Sequence, residues 1–237
     1  MKISILIMLF AFCSVLKAQD IEQISRSREF TDIRTNMNLI GTSDVAGKNQ
    51  SNVSGSPYLY NSWNNKAKIY YDDKVYVINN FNYNIYSERF ESKLSEDSIL
   101  IINPRNIKSI VIDDKVFGRY LDPEFLRNSY FEEIVKFDNY FLLKKYIVKI
   151  KPGSVNPLTK VKLSSDELKQ DEIFYICDLE NNNELKKIKL KKSTILGLIK
   201  TDYTDNINNY AKKDKLNYKS IEDVRKLILY YNALQNK

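Results

Sequence analysis

The sequence predicts an α+β protein: a mainly antiparallel β-meander, curved or closed into a partial barrel, capped by a three-helix C-terminal segment. Three observations carry this expectation. Between about residues 66 and 190, short β-branched and aromatic runs alternate with polar turns at the spacing of a meander. After Leu190 the apolar period lengthens to that of helices. Near the end, Ser220-Ile221-Glu222-Asp223 forms a capping box that opens an apolar stripe of Ile221, Val224, Leu227, Ile228, Tyr231 and Leu234.

In chain order, residues 1–18 read as a secretory signal peptide. Lys2 precedes an apolar run over 3–16, and the small Ala18 stands where cleavage is expected. A lipid anchor on Cys13 is disfavoured by the bulky Phe12 before it. Cleavage leaves Cys177 as the one thiol, so no internal disulfide can form and the core itself must hold the fold. No later apolar run is long enough for a transmembrane helix.

Residues 19–65 read as an irregular segment or linker, rich in Gly, Ser and Asn around Gly41 and over 47–57. Strands are then expected at 66–71, 75–80, 82–94, 98–103, 107–112, 116–120, 130–137, 140–151, 172–179 and 184–190. Asn181-Asn182-Asn183 marks the last turn. In the lysine run of residues 186–192, Ile188 and Leu190 alternate with lysines, as in a strand with one wet face. Helices are expected from Ser193 or Thr194 to Ile199, from about Asp202 to Asp214, and from Ser220 onward.

Charge and composition narrow the chemistry. The net charge of +7 suits an anionic partner or simply a solvated surface, and no nucleic-acid motif accompanies it. There is no histidine among the 237 residues. Ser-His-Asp and Cys-His catalysis and His-dependent zinc sites are thereby removed, and no cofactor or metal is expected. Carboxylate chemistry, a Ser-Lys pair or an all-oxygen calcium site remain.

Asp72-Asp73-Lys74-Val75 and Asp113-Asp114-Lys115-Val116 repeat one tetrapeptide, each followed by an aromatic residue. Asp72, Asp73, Asp113 and Asp114 are the candidates for a carboxylate pair. A hairpin turn used twice explains them more simply, because Asp tolerates turn conformations. The tyrosines crowded between Tyr58 and Tyr86 suit sugar or protein surfaces, or the packed faces of strands. The stripe of the last helix suits either its own core or a partner's groove.

Gly55-Ser56-Pro57-Tyr58-Leu59, the stretch Asn82-Tyr83-Asn84-Ile85-Tyr86-Ser87-Glu88-Arg89-Phe90-Glu91, and Lys212-Lys213-Asp214-Lys215-Leu216 followed by residues 223–234 resemble a group of uncharacterised exported proteins of Bacteroidetes, flavobacterial in type. The likeness spans most of residues 55–235 and carries no known activity. It implies export to the periplasm or outer-membrane surface of a Gram-negative bacterium. It also implies O-glycosylation at Ser98 within Asp97-Ser98-Ile99. The expectation is therefore a non-enzymatic envelope component that binds other envelope proteins. The alternative is a carboxylate-dependent hydrolase or binding module acting on envelope polysaccharide.

Overall fold

The computed structural model describes residues 42–44, 53–96 and 98–236. The expected leader, residues 1–18 with Cys13, and Asp97 lie outside the described residues, as does most of the expected irregular segment.

Among the described residues, thirteen strands and three α-helices make an α+β fold. The strands are β1 (Thr42–Asp44), β2 (Val53–Ser54), β3 (Ala67–Tyr71), β4 (Lys74–Ile78), β5 (Phe81–Asn84), β6 (Arg89–Ser95), β7 (Ser98–Ile101), β8 (Ile107–Ile112), β9 (Lys115–Asp122), β10 (Arg127–Phe137), β11 (Tyr140–Lys151), β12 (Asp166–Asp178) and β13 (Glu184–Ile188). The helices are α1 (Lys192–Leu196), α2 (Thr204–Lys213) and α3 (Ile221–Gln235), with a 3-10 turn at Thr201–Tyr203 before α2.

The large sheet has the order β13-β12-β11-β10-β9-β8-β3-β4, and β2 pairs in parallel with the outer end of β12. From β8 to β13 it is the expected antiparallel meander. β5, β6 and β7 leave the meander between β4 and β8 and form a second sheet with β1. Tight reversals follow the predicted chemistry: Asp72, Asp113, Asp138, Asn182 and Asn183 all have positive φ, which their short polar side chains tolerate.

One expected strand, 82–94, divides into β5 and β6. Glu88 adopts φ 51°, and the Asn84 side chain accepts from the Ser87 amide at 3.1 Å, closing a turn that alternation alone did not disclose. The expected linker also differs at its end, because residues 57–62 lie along β5. The Leu59 amide donates to the Tyr83 carbonyl at 2.9 Å, and the Asn82 side chain bonds the Tyr60 amide and carbonyl. Leu59 and Tyr60 pack on the core, so this stretch belongs to the folded body.

The small sheet packs on one face of the large one. Tyr83, Phe90, Phe117 and Tyr130 meet there, with Phe90 4.6 Å from both Tyr83 and Tyr130. The helices cover a second part of that face, against Val135, Phe137, Leu142 and Ile176. The other face curls until β13 lies against β9, enclosing Phe131, Leu143, Tyr175, Cys177 and Leu185. Lys187 reaches Glu124 across this closure at 2.5 Å.

Candidate functional site

The sheet register separates the four aspartates. β3 and β8 are antiparallel, with Tyr71 opposite Ile107 and Ala67 opposite Ile112. Asp72-Asp73 therefore turns the chain at one end of the pair and Asp113-Asp114 at the other, about 17 Å apart at roughly 3.3 Å per residue. All four are exposed, and Asp73 only pairs with Lys108 at 3.3 Å. Carboxylates at that separation cannot serve one glycosidic bond, which needs about 5–10 Å. These residues are turn formers, and the hydrolase built on them is set aside.

The helical stripe is likewise not a free face. Ile221, Val224, Leu227, Ile228 and Tyr231 are buried, and Leu234 packs beside them against the helix-covered sheet. Tyr231 donates to Asp138 at 2.6 Å, and burial, then this bond, pushes its hydroxyl up to about 12. The segment docks on its own sheet because that sheet offers an apolar face that nothing else covers. Partner binding through the stripe is corrected to core packing. Ser98 begins β7, half-buried, beside Ser95 of β6 and Asp44 of β1.

Two of the three stretches that suggested a family likeness, residues 55–59 and 82–91, meet at Glu91. Glu91 is fully buried and accepts from Tyr58 Oη at 2.8 Å, Arg89 Nε at 2.5 Å and Asn84 Nδ2 at 3.3 Å. This hydrogen-bonded clamp joins residues 57–62 to the β5–β6 hairpin.

Two further ionic groups had no forecast. On the face that carries the helices, Glu132 accepts from Tyr146 Oη at 2.5 Å and pairs with Lys144 at 3.0 Å and Lys115 at 3.6 Å. Burial and then the Glu132 charge push the Tyr146 hydroxyl well above its ordinary range, so it stays a proton donor. On the opposite face, Lys145 is buried between Asp122 and Glu88, the latter at 3.1 Å, with its ammonium 4.8 Å from the Phe125 ring. Burial pushes the Asp122 carboxyl up, but the Lys145 hydrogen bond and charge, with the Glu124 and Phe125 amides, outweigh it and hold it below its ordinary value. Glu88 also binds Ser129 at 2.8 Å and Arg127 at 3.2 Å, joining the β5–β6 turn to β10. The available signal was Lys144-Lys145 between the apolar runs at 140–143 and 146–148 of β11.

A small cleft of about 130 Å³ lies beside Glu132, bounded by Asp114, Lys144 and the start of α3 with Glu222 and Arg225. The first-turn amide of α3, then Ser220 and the nearby Lys144 and Lys115 charges, hold the Glu222 carboxyl low against the effect of burial. Glu132 is already served by three donors, so it is poorly placed to take a substrate proton. The buried Cys177 thiol is pushed up to about 11 by burial, then by Asp178 and Glu133, which disfavours the reactive thiolate. Among the described residues no group of three or more His, Cys, Asp and Glu side chains is gathered to hold a metal ion, and no helix is long and apolar enough to cross a membrane.

A larger groove, about 760 Å³, runs between the last two strands and α1. Tyr140, Ile176, Ile188 and Leu198 give it an apolar floor; Asp178, Glu184, Lys186, Ser193 and Thr194 give it a polar rim. That combination of apolar area and a few orienting polar groups is what binding sites use. No family model, curated protein or solved structure matches this chain.

Proposed function

We propose that the chain is an exported, non-enzymatic binding component of a Gram-negative cell-envelope protein assembly, and that the groove between β13 and α1 receives a segment of its partner. The groove is the supporting observation: it has the size and mixed lining of a binding site, while Glu132 with Lys144 and Asp122 with Lys145 are engaged in ion pairs with one another. It also uses both parts of the fold, the sheet edge and the helical segment.

A photo-crosslinking residue at Thr194, on the groove rim, tests the reading in cells. A discrete protein adduct is expected there and none from Lys212, which is exposed on α2 away from the groove. Filling the floor with Leu198→Trp should abolish the adduct. No adduct from position 194, or an adduct indifferent to the filled floor, overturns the groove. Two accompanying expectations are checked on the natively exported chain: N-terminal sequencing should begin after Ala18, and its intact mass should show a glycan that is lost in Ser98→Ala.

A further inference from the structure

β11 and β12 stay paired over twelve residues, from Tyr140 opposite Asp178 to Lys151 opposite Glu167. The pairing of β10 with β11 ends much sooner, at Glu132 and Lys144. Beyond that point β11 has a strand partner on one side only; Lys145 and Tyr146 are still buried and Val148 packs on the core, so the arm leaves the body near Lys149 as about 10 Å of paired strand at roughly 3.3 Å per residue, with β2 alongside the outer end of β12.

The arm ends in an ordered tip. Val155 bridges Lys162, Ser154 and Ser164 bond one another at 3.0 Å, and Asn156 Oδ1 accepts from the Leu158 and Thr159 amides. Gly153 is required for it, since a Cβ there would stand 1.9 Å from the Ser164 carbonyl oxygen.

This tip presents apolar side chains outward. Leu158 is 91% exposed, Leu163 65%, Val161 59%, Ile150 52% and Val155 49%. No aspartate or glutamate occurs between Asp138 and Asp166, while Lys149, Lys151, Lys160 and Lys162 fall within that span. Lys149 pairs with Asp171, and at the outer end of the arm Lys151 and Lys162 pair with Glu167 and Asp166, with Lys149 and Lys151 still largely in water. Lys160 has no ion-pair partner among the described residues.

We propose that this arm docks on an anionic lipid surface, inserting the Leu158, Val161 and Leu163 side chains at the boundary between headgroups and acyl chains. A tip with exposed apolar side chains suits a soft, deformable surface. Its apolar end regains the free energy that exposure to water costs, and lysine stems can lie along acyl chains while their charges stay at headgroup level. Although Asp166 and Glu167 flank the tip, the tip itself carries no carboxylate, and Lys160 with the exposed Lys151 and Lys162 supplies the charge complementarity, since each lysine near an anionic leaflet strengthens binding about fivefold.

The test uses the full chain with Cys13→Ser and Leu158→Cys, carrying an environment-sensitive fluorophore at position 158; Cys177 is buried. With vesicles of phosphatidylglycerol and phosphatidylcholine, the probe should shift to the blue and be quenched by brominated acyl chains. The same probe at Lys212→Cys should stay in water, which separates insertion of the tip from binding by the leader. Pure phosphatidylcholine should give little shift, and Lys160→Gln with Lys162→Gln should weaken binding about 25-fold, taking about fivefold per lysine. Circular dichroism should find the fold of these variants unchanged, because the tip lies outside the core. A probe that stays in water on anionic vesicles, an equal response to both vesicles, or indifference to the lysine changes overturns the proposal.

Discussion

Replacing Lys145 by methionine removes the cation held between Asp122 and Glu88. Its side chain is 1% exposed, that of Asp122 1% and that of Glu88 16%, so water cannot readily take its place. Truncating one partner of a buried pair typically costs about 3–5 kcal/mol, because the remaining charge is left desolvated. With an m value of about 2 kcal/mol/M, the urea midpoint should fall by about 1.5–2.5 M.

The pH dependence carries the sharper test. In the parent chain Asp122 is held below its ordinary 3.8, so its contribution is present above that value and lost as pH falls through the folded one. In Lys145→Met burial is opposed only by the Glu124 and Phe125 amides, and the folded value should rise above the unfolded one. The penalty is then full at pH 7 and relieved as the carboxyl protonates on acidification. The stability gap between variant and parent should therefore shrink from pH 7 to pH 4. Adding Asp122→Leu should recover part of the loss, as apolar replacements of buried pairs do. A gap below about 1 kcal/mol at pH 7, or one unchanged between pH 7 and 4, would refute the reasoning.

Three other outcomes are expected in urea unfolding. Leu227→Ala, at a fully buried position under α3, should cost about 2–5 kcal/mol; a near-neutral result would return the stripe to the surface. Ser220→Ala should cost about 1 kcal/mol by removing the oxygen that accepts from the Asp223 amide, and Thr at 220 should restore most of it. Tyr83→Phe should be neutral or stabilising by about 1 kcal/mol, since the buried hydroxyl has no hydrogen-bond partner among the described residues; a clear loss would reveal a partner.

Elements set by local chemistry were legible in advance. The Asp-Asp turns, the Asn triplet and the Ser220 cap depend on residues within a few positions of one another, and each occurs where the spacing put it. The division of 82–94 was not legible, because strand alternation continues across the Asn84 to Glu88 turn. The ionic groups were missed for a related reason: Glu88 and Lys145 are 57 positions apart, and only the packing of the small sheet on the large one brings them together.

Sequence alone determined the α+β class, the antiparallel meander and the three C-terminal helices, since period, turn residues and caps are local properties of the chain. Tertiary structure decided which faces are buried. It sent the two aspartate turns to opposite ends of β3 and β8, put the α3 stripe into the core, and left the tip of the β11–β12 arm in water. Those outcomes depend on strand register and on which apolar faces meet, and both are settled only when distant segments compete for the same surface.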